Sequence, residues 1–206
     1  LLYHCARCVD VYKALEDISR ERKLTPEERN EMKAFNKLAD SLTPLAKGMN
    51  SEFCNQNAYD ALQIHGGSGF MMDYPIQRIA RDARITSIYE GTTQLQVVAA
   101  IRFVMNGSYS AQLQEWESKE VSEEMRPLQA VAQRLSSLFN EAVARVKEVG
   151  EQEFQDLCAR HLVEMAANAL MLHLLLYNAS QSPELFAKSA RVFARFAESE
   201  ACLLYT

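Results

Sequence analysis

The chain has 206 residues, a formal net charge of −5 and a pI near 5.5. That balance argues against a phosphate-backbone partner, because nucleic-acid binders carry a basic stripe. The longest apolar run, Leu170 to Tyr177, is interrupted by His173 and is far too short to cross a bilayer, so no membrane span is expected.

The length allows one or two buried cores. No basic segment followed by an apolar stretch opens the chain, so no secretory signal is read. Leu1 opens on an apolar pattern already under way, and the chain is expected to be part of a longer polypeptide. Cys5, Cys8, Cys54, Cys158 and Cys202 are odd in number and scattered. They do not make a disulfide framework, which points to a reducing compartment and a cytoplasmic setting. Cys5 and Cys8 form a lone CxxC without a second pair. They read as small core residues of a helix, and no metal centre is expected.

Only seven glycines and five prolines occur, and apolar residues recur at three and four. An all-α fold is therefore predicted. Leu1 to Ile18 carries Cys5, Cys8, Val11, Tyr12, Leu15 and Ile18 on one face. Thr25-Pro26-Glu27-Glu28 reads as a helix start with Thr25 as N-cap, Pro26 at the first position and Glu28 closing a capping box. Met32, Phe35, Leu38, Ala39, Leu42, Leu45, Ala46, Met49 and Phe53 continue the helical spacing. Pro44 is expected to kink or split that stretch.

His65-Gly66-Gly67-Ser68-Gly69-Phe70 reads as a break, since each glycine costs roughly 1 kcal/mol against alanine inside a helix. A short helix follows from about Pro75 to Ala83, and another from Thr92 or Thr93 to Met105. Asn106-Gly107 reads as its stop. The polar stretch 108–125, with Trp116, reads as a linker. Helical patterns then cover about 126–149, 153–178 and 182–204. The predicted architecture is an up-down helical bundle over 1–107, the linker 108–125, and a smaller helical extension over 126–206.

The chemistry concentrates between Gln63 and Gln94. A glycine cluster after a helix lets backbone approach a ligand closely. Glu90 precedes Gly91 and a helix that opens on Thr92 and Thr93. A helix N-terminus offers free donors and a positive partial charge. A carboxylate hemmed by Ile88 and Tyr89 is expected to be desolvated and so to become a stronger base. The same residues also allow a solvated turn carboxylate and a plain Thr92 N-cap.

Three motifs in order, QIHGGSGF, RDARI and IYEGTTQLQ, resemble the acyl-CoA dehydrogenase family in spacing and residue type over roughly residues 60–105. The segment Leu42 to Lys47 and the helical region after Gly107 resemble the branch with a C-terminal extension, which includes 3-methylmercaptopropionyl-CoA dehydrogenases. The resemblance implies FAD as cofactor and an acyl-CoA substrate. Glu90 is then the general base that removes the α-proton while hydride leaves for the flavin, and Gly91 lets the substrate lie against the backbone.

Thr92 and Gln94 match positions that contact FAD in the same subunit, and Thr93, which lies between them, is grouped with the cofactor-binding residues. Gln63, Ile64, His65, Gly66 and Gly67 match the segment that meets the adenosine-diphosphate part of FAD from a neighbouring subunit. For His65 itself a backbone contact is the plainer expectation. The resemblance also implies a homo-oligomer (dimer or tetramer) and an electron-transfer flavoprotein as acceptor. Acyl-CoA oxidase chemistry and a non-catalytic helical oligomerisation module are the alternatives.

Arg81 and Asp82 are expected to pair and set the loop, with Arg84 and Arg102 likewise structural. His161 and His173 read as ordinary helix residues. Tyr177, Phe186, Phe193 and Phe196 read as packing. A complete family member also has an N-terminal helical domain and a middle β domain, which nothing here resembles. The stretch alone is therefore expected to have little or no dehydrogenase activity.

Overall fold

Helix initiation at Thr25 follows the predicted chemistry. Thr25 Oγ1 accepts the Glu28 amide at 3.2 Å, and the Glu28 carboxylate accepts the Thr25 amide at 2.9 Å. The Arg22 guanidinium bonds the same carboxylate. With the Thr25 amide it holds the Glu28 pKa down at about 2.

The computed structural model describes the backbone of residues 1–205 and the side chains of residues 1–201. Cys202 therefore lies outside the described side chains. The described residues are helical with no strand: α1 Leu2–Glu21, α2 Pro26–His65, α3 Gly67–Phe70, α4 Ile76–Thr86 and α5 Thr93–Met105 come first. α6 Ser108–Glu117, α7 Arg126–Val149, α8 Gln152–Gln181 and α9 Pro183–Tyr205 follow, with a 3-10 turn at Glu123–Met125 before α7. The all-α prediction holds. The chain divides into two compact units, residues 2–99 and the part from Ala100 onward.

In the first unit α2 is the central element, packed by α1 and α4. Cys5 and Cys8 are buried, and Cys5 Sγ lies 3.7 Å from Thr43 Oγ1 of α2. α2 runs through Pro44 as one 40-residue helix, so the split that Pro44 could have caused does not occur. An interior proline costs about 3 kcal/mol. Leu42 and Leu45 on either side are fully buried, and each contributes about 2 kcal/mol by leaving water. Burial on both sides of the proline outweighs the lost backbone bond.

The glycine cluster ends α2 as expected, with Gly66 at φ 60°. Instead of a plain loop, Gly67 to Phe70 forms one helical turn. Gly69 is needed there for close approach: a Cβ would stand 2.7 Å from the Leu62 carbonyl oxygen and 2.8 Å from His65 Cβ. Gly69→Ala is expected to destabilise the first unit by about 1–3 kcal/mol through overpacking. Urea unfolding checks this against Ser68→Ala, an exposed neighbour expected to change little.

In the second unit α7, α8 and α9 pack on one another, and α6 lies on α7 and α8. The predicted linker is thus partly a helix. Tyr109, Gln112 and Leu113 of α6 are buried, and Trp116 meets Tyr177 edge-on at 5.6 Å. Tyr109, Leu113 and Trp116 form a narrow apolar stripe at i, i+4, i+7 that the polar composition around them hides. On α9, Ala187, Ala190, Ala194, Ala197 and Ala201 are all buried. This small-residue stripe lets α9 pack closely.

Phe193 and Phe196 pack at 5.8 Å, although Phe196 is partly exposed. α8 is long and apolar enough, by length and composition, to cross a membrane, and 72% of that stretch is buried. Its apolarity is accounted for by packing inside the unit.

His173 departs from the plain helix residue expected. It is buried, its Nε2 lies 3.1 Å from Ser136 Oγ, and Glu117 Oε1 stands 4.0 Å away. Burial pushes its pKa down to about 4.

Candidate active site

Residues 87–92 join α4 to α5 within the first unit, and α2 supplies much of their support. Asn55 Nδ2 donates to the Ala83 carbonyl at 3.1 Å, tying the last turns of α4 to α2. Lys47 Nζ donates to the Thr86 carbonyl and stands 5.5 Å over the Tyr89 ring. Arg84, expected to be structural, bonds the Ser87 hydroxyl. The Thr93 amide closes the loop on the Ser87 carbonyl at 3.2 Å. The Thr93 hydroxyl reaches back to Glu52 on α2 at 2.6 Å.

At the tip of this loop Glu90 has φ 53°, the one non-glycine residue with a left-handed backbone among the described residues. A side chain in that region costs of order 1–3 kcal/mol and persists only where its surroundings dictate it. Gly91 follows at φ 93°. Gly91→Ala is expected to be strained at that φ, and its Cβ would stand 2.8 Å from Gln96 Nε2. The expected result is displacement of the Glu90–Gly91 turn and a lower thermal midpoint, with the overall fold retained by circular dichroism.

Glu90 is exposed, as are Ile88 and Tyr89 at 45% and 50%. The predicted desolvation of the carboxylate is therefore not achieved by this chain's own residues, because the two flanking side chains splay outward. Glu90 and Tyr89 line a groove of about 450 Å³ together with Cys5, Thr43, Lys47, Asn50 and Cys54 among others. The Asn50 Nδ2 is buried there with no hydrogen-bond partner.

The two predicted cofactor segments sit at separate places. Thr92 caps α5, its hydroxyl 3.4 Å from the Leu95 amide, and Gln94 is exposed in the first turn. The plain N-cap is thus what Thr92 makes in this chain, while the first-turn amides have no intrahelical acceptor. Gln63, Ile64, His65, Gly66 and Gly67 are all exposed around the end of α2, and none lines the groove that holds Glu90. A Cβ on Gly66 or Gly67 would meet nothing within 4 Å, so that backbone lies open to a ligand.

His65 Nδ1 lies 2.8 Å from the Ala61 carbonyl, the backbone contact expected of it. Arg81 and Asp82 are both exposed and form no ion pair with each other among the described residues, contrary to expectation. They are adjacent on α4, and neighbouring positions of a helix do not face one another. Arg102 lies 4.5 Å over the Phe103 ring.

Sequence reasoning assigned no role to Lys47, Glu52 or Gln96, although Gln96 closes the IYEGTTQLQ motif. Their signal was weak but present for the first two: charged residues beside Ala46, Gly48 and Ser51, which are buried on α2.

Two family models match the chain. One, described as acyl-CoA dehydrogenase, C-terminal domain, covers residues 23–105. The other, described as acyl-CoA dehydrogenase C terminal, covers residues 105–205. An acyl-CoA dehydrogenase of Bacillus subtilis (strain 168) is 42% identical over 64 residues, 31% of this chain and 17% of the relative. The broad-specificity linear acyl-CoA dehydrogenase FadE5 of Mycobacterium tuberculosis is 48% identical over 60 residues, 29% of this chain and 10% of the relative. The chain thus spans less than a fifth of the length of these curated relatives.

The solved structure of an acyl-CoA dehydrogenase complexed with FAD from Bacillus anthracis matches the fold. Its TM-score is 0.69 at 20% identity, over 97% of this chain and 37% of that one. Family models over nearly the whole chain, the motifs around Glu90 and this shared fold agree: the chain belongs to the acyl-CoA dehydrogenase family and carries its C-terminal region.

Proposed function

We propose that this chain is the part of an FAD-dependent acyl-CoA dehydrogenase that supplies the base, Glu90, for α,β-dehydrogenation of an acyl-CoA thioester. The observation that carries the reading is the left-handed backbone of Glu90, which lines a groove and stands three residues before the start of α5. Strain of this kind concentrates at sites where geometry is part of the mechanism.

In this reading Glu90 takes the α-proton, and its own backbone N–H, which has no partner among the described residues, donates to the thioester carbonyl. A donor placed where negative charge develops is commonly worth roughly 3 kcal/mol. Gly91 presents no side chain to the substrate. Bound flavin supplies the hydride-accepting centre.

The residues present fit that group. Gln63 to Gly67 offer open backbone, and at the α5 N-terminus the Thr92 hydroxyl and the Gln94 side-chain amide and backbone N–H offer donors, whereas the Thr93 amide and hydroxyl are already held by Ser87 and Glu52. Because the two segments are apart, the Gln63–Gly67 segment serves the cofactor of a second subunit in a homo-oligomer, with electron-transfer flavoprotein as acceptor. Enclosure of Glu90 comes from parts of the enzyme outside this chain, and these 206 residues alone give no turnover. The Leu42–Lys47 segment and the unit after Ala100 favour the branch resembling 3-methylmercaptopropionyl-CoA dehydrogenase. Cys5, Cys8, Cys54 and Cys158 form no disulfide among the described residues and are scattered along the chain, a usage that favours a reducing, cytoplasmic setting.

The test is anaerobic mixing of the full-length protein with acyl-CoAs of increasing chain length, including a thioether-bearing one. Bleaching of the oxidised flavin band on mixing is the expected result, and the best substrate reports specificity. A full-length protein without flavin would contradict the reading and favour an oligomerisation module. Rapid reoxidation with peroxide release on admitting oxygen would make the enzyme an oxidase.

A further inference from the structure

The Glu90–Gly91 turn is held by a side chain that lies outside the family motif residues assigned to catalysis or cofactor. Gln96 stands one turn into α5 and is half-buried. Its Nε2 donates to the Gly91 carbonyl at 3.2 Å. Its Cβ lies 3.5 Å from where a Cβ on Gly48 of α2 would be, so its stem runs against a glycine of the central helix.

The peptide carbonyl it holds belongs to the residue after Glu90, and that residue is itself at φ 93°. Two successive left-handed residues on an exposed loop have little intrinsic reason to stay in place. The remaining anchors act at Thr86, Ser87 and Thr93, beyond either end of the Glu90–Gly91 pair. Gln96 is the described side chain that bonds the pair itself.

We infer that Gln96 is a positioning residue, which fixes the Glu90–Gly91 turn through the Gly91 carbonyl and so aims the Glu90 carboxylate at the substrate's α-carbon. The inference rests on the reading of Glu90 as base. An amide is suited to this position because it donates without carrying a charge that would compete with the carboxylate for ion pairs. Its stem spans from the helix to the loop without moving the backbone of α5. Loss of the bond releases the turn toward ordinary backbone conformations and displaces the carboxylate. A misplacement of about 1 Å is enough to lower a rate by roughly a hundredfold.

The experiment uses the full-length flavin-loaded protein and its Gln96→Glu, Gln96→Met and Glu90→Gln variants. Gln96→Glu keeps the shape and loses the donor, whereas Gln96→Met keeps the stem and loses all polarity. Single-turnover flavin reduction is measured against acyl-CoA concentration, with α-protonated and α-deuterated substrate, beside thermal midpoints and flavin content.

The expected result is a roughly tenfold to hundredfold lower limiting rate for both Gln96 variants. Half-saturation, midpoint and flavin content stay near those of the unmodified protein, and the α-deuterium isotope effect is larger, because proton removal has become slower. A merely structural role would instead lower the midpoint or flavin content and leave the isotope effect unchanged. That pattern, or an unaltered limiting rate, overturns the inference while the loss in Glu90→Gln leaves the base reading standing. If Glu90→Gln itself reduces flavin at the full rate, the base reading fails and this inference fails with it.

Discussion

Replacing Glu90 by Gln in the full-length protein is expected to slow flavin reduction by acyl-CoA by about a thousandfold. Gln keeps the size and hydrogen-bonding capacity of the side chain but cannot accept a proton at neutral pH. General base catalysis typically contributes 10² to 10⁴ in rate, and a thousandfold loss corresponds to about 4 kcal/mol of barrier. The backbone of Glu90 already lies in the left-handed region, and Gln tolerates it as poorly as Glu, so the substitution adds no new strain. Acyl-CoA affinity is expected to change little, because the carboxylate acts on the α-proton and not on the CoA portion. A change in half-saturation with an unaltered limiting rate would assign Glu90 to substrate binding instead.

A second large effect is expected in the other unit, from pH. His173 is buried, and its desolvation lowers the pKa from 6.5 to about 4. Glu117 Oε1 at 4.0 Å should favour the charged ring, but Glu117 is partly exposed and screened, and burial wins. The depressed pKa fixes the sign. Above pH 6.5 neither the folded nor the unfolded ring is protonated, and this contribution to stability is fully present.

Between pH 6.5 and about 4 the unfolded chain binds a proton that the folded one refuses. Stability is therefore lost at about 1.4 kcal/mol per pH unit. From pH 6.5 to pH 5 the unmodified protein is expected to lose about 1.5 kcal/mol more than His173→Gln, measured by urea unfolding at both values. Equal losses in the two proteins would show that His173 is not the group responsible.

Features governed by local chemistry were legible in the sequence. Thr25 and Glu28 are three residues apart, so their capping box depends on almost nothing else. The end of α5 followed from the Asn106-Gly107 stop, and the three long helices of the second unit followed from periodicity. The split allowed at Pro44 does not occur because the burial of Leu42 and Leu45, a tertiary property, overrides its known local cost. The 108–125 stretch misled for the opposite reason, as three apolar residues at helical spacing sufficed to bury a face of α6 despite polar neighbours.

Motif order put the candidate site at Glu90 and Gly91, and α5 starts at Thr93 as predicted. Motif order did not give Lys47, Glu52 or Gln96. Two of these reach the loop from α2, some 40 residues earlier in the chain, and the third faces it through helix register. Desolvation of Glu90 was also misjudged, because apolar neighbours in sequence need not lie over the carboxylate in space.

The most direct test of the account is deuterium uptake at the α-carbon of an acyl-CoA analogue whose β-carbon is replaced by oxygen or sulfur. No hydride can leave from such a thioester, so exchange with D₂O isolates proton removal from oxidation. The full-length protein is predicted to catalyse this exchange, and Glu90→Gln to do so at least about a hundredfold more slowly while still binding the analogue. Equal exchange by both proteins would contradict the account, since another group would then be taking the proton.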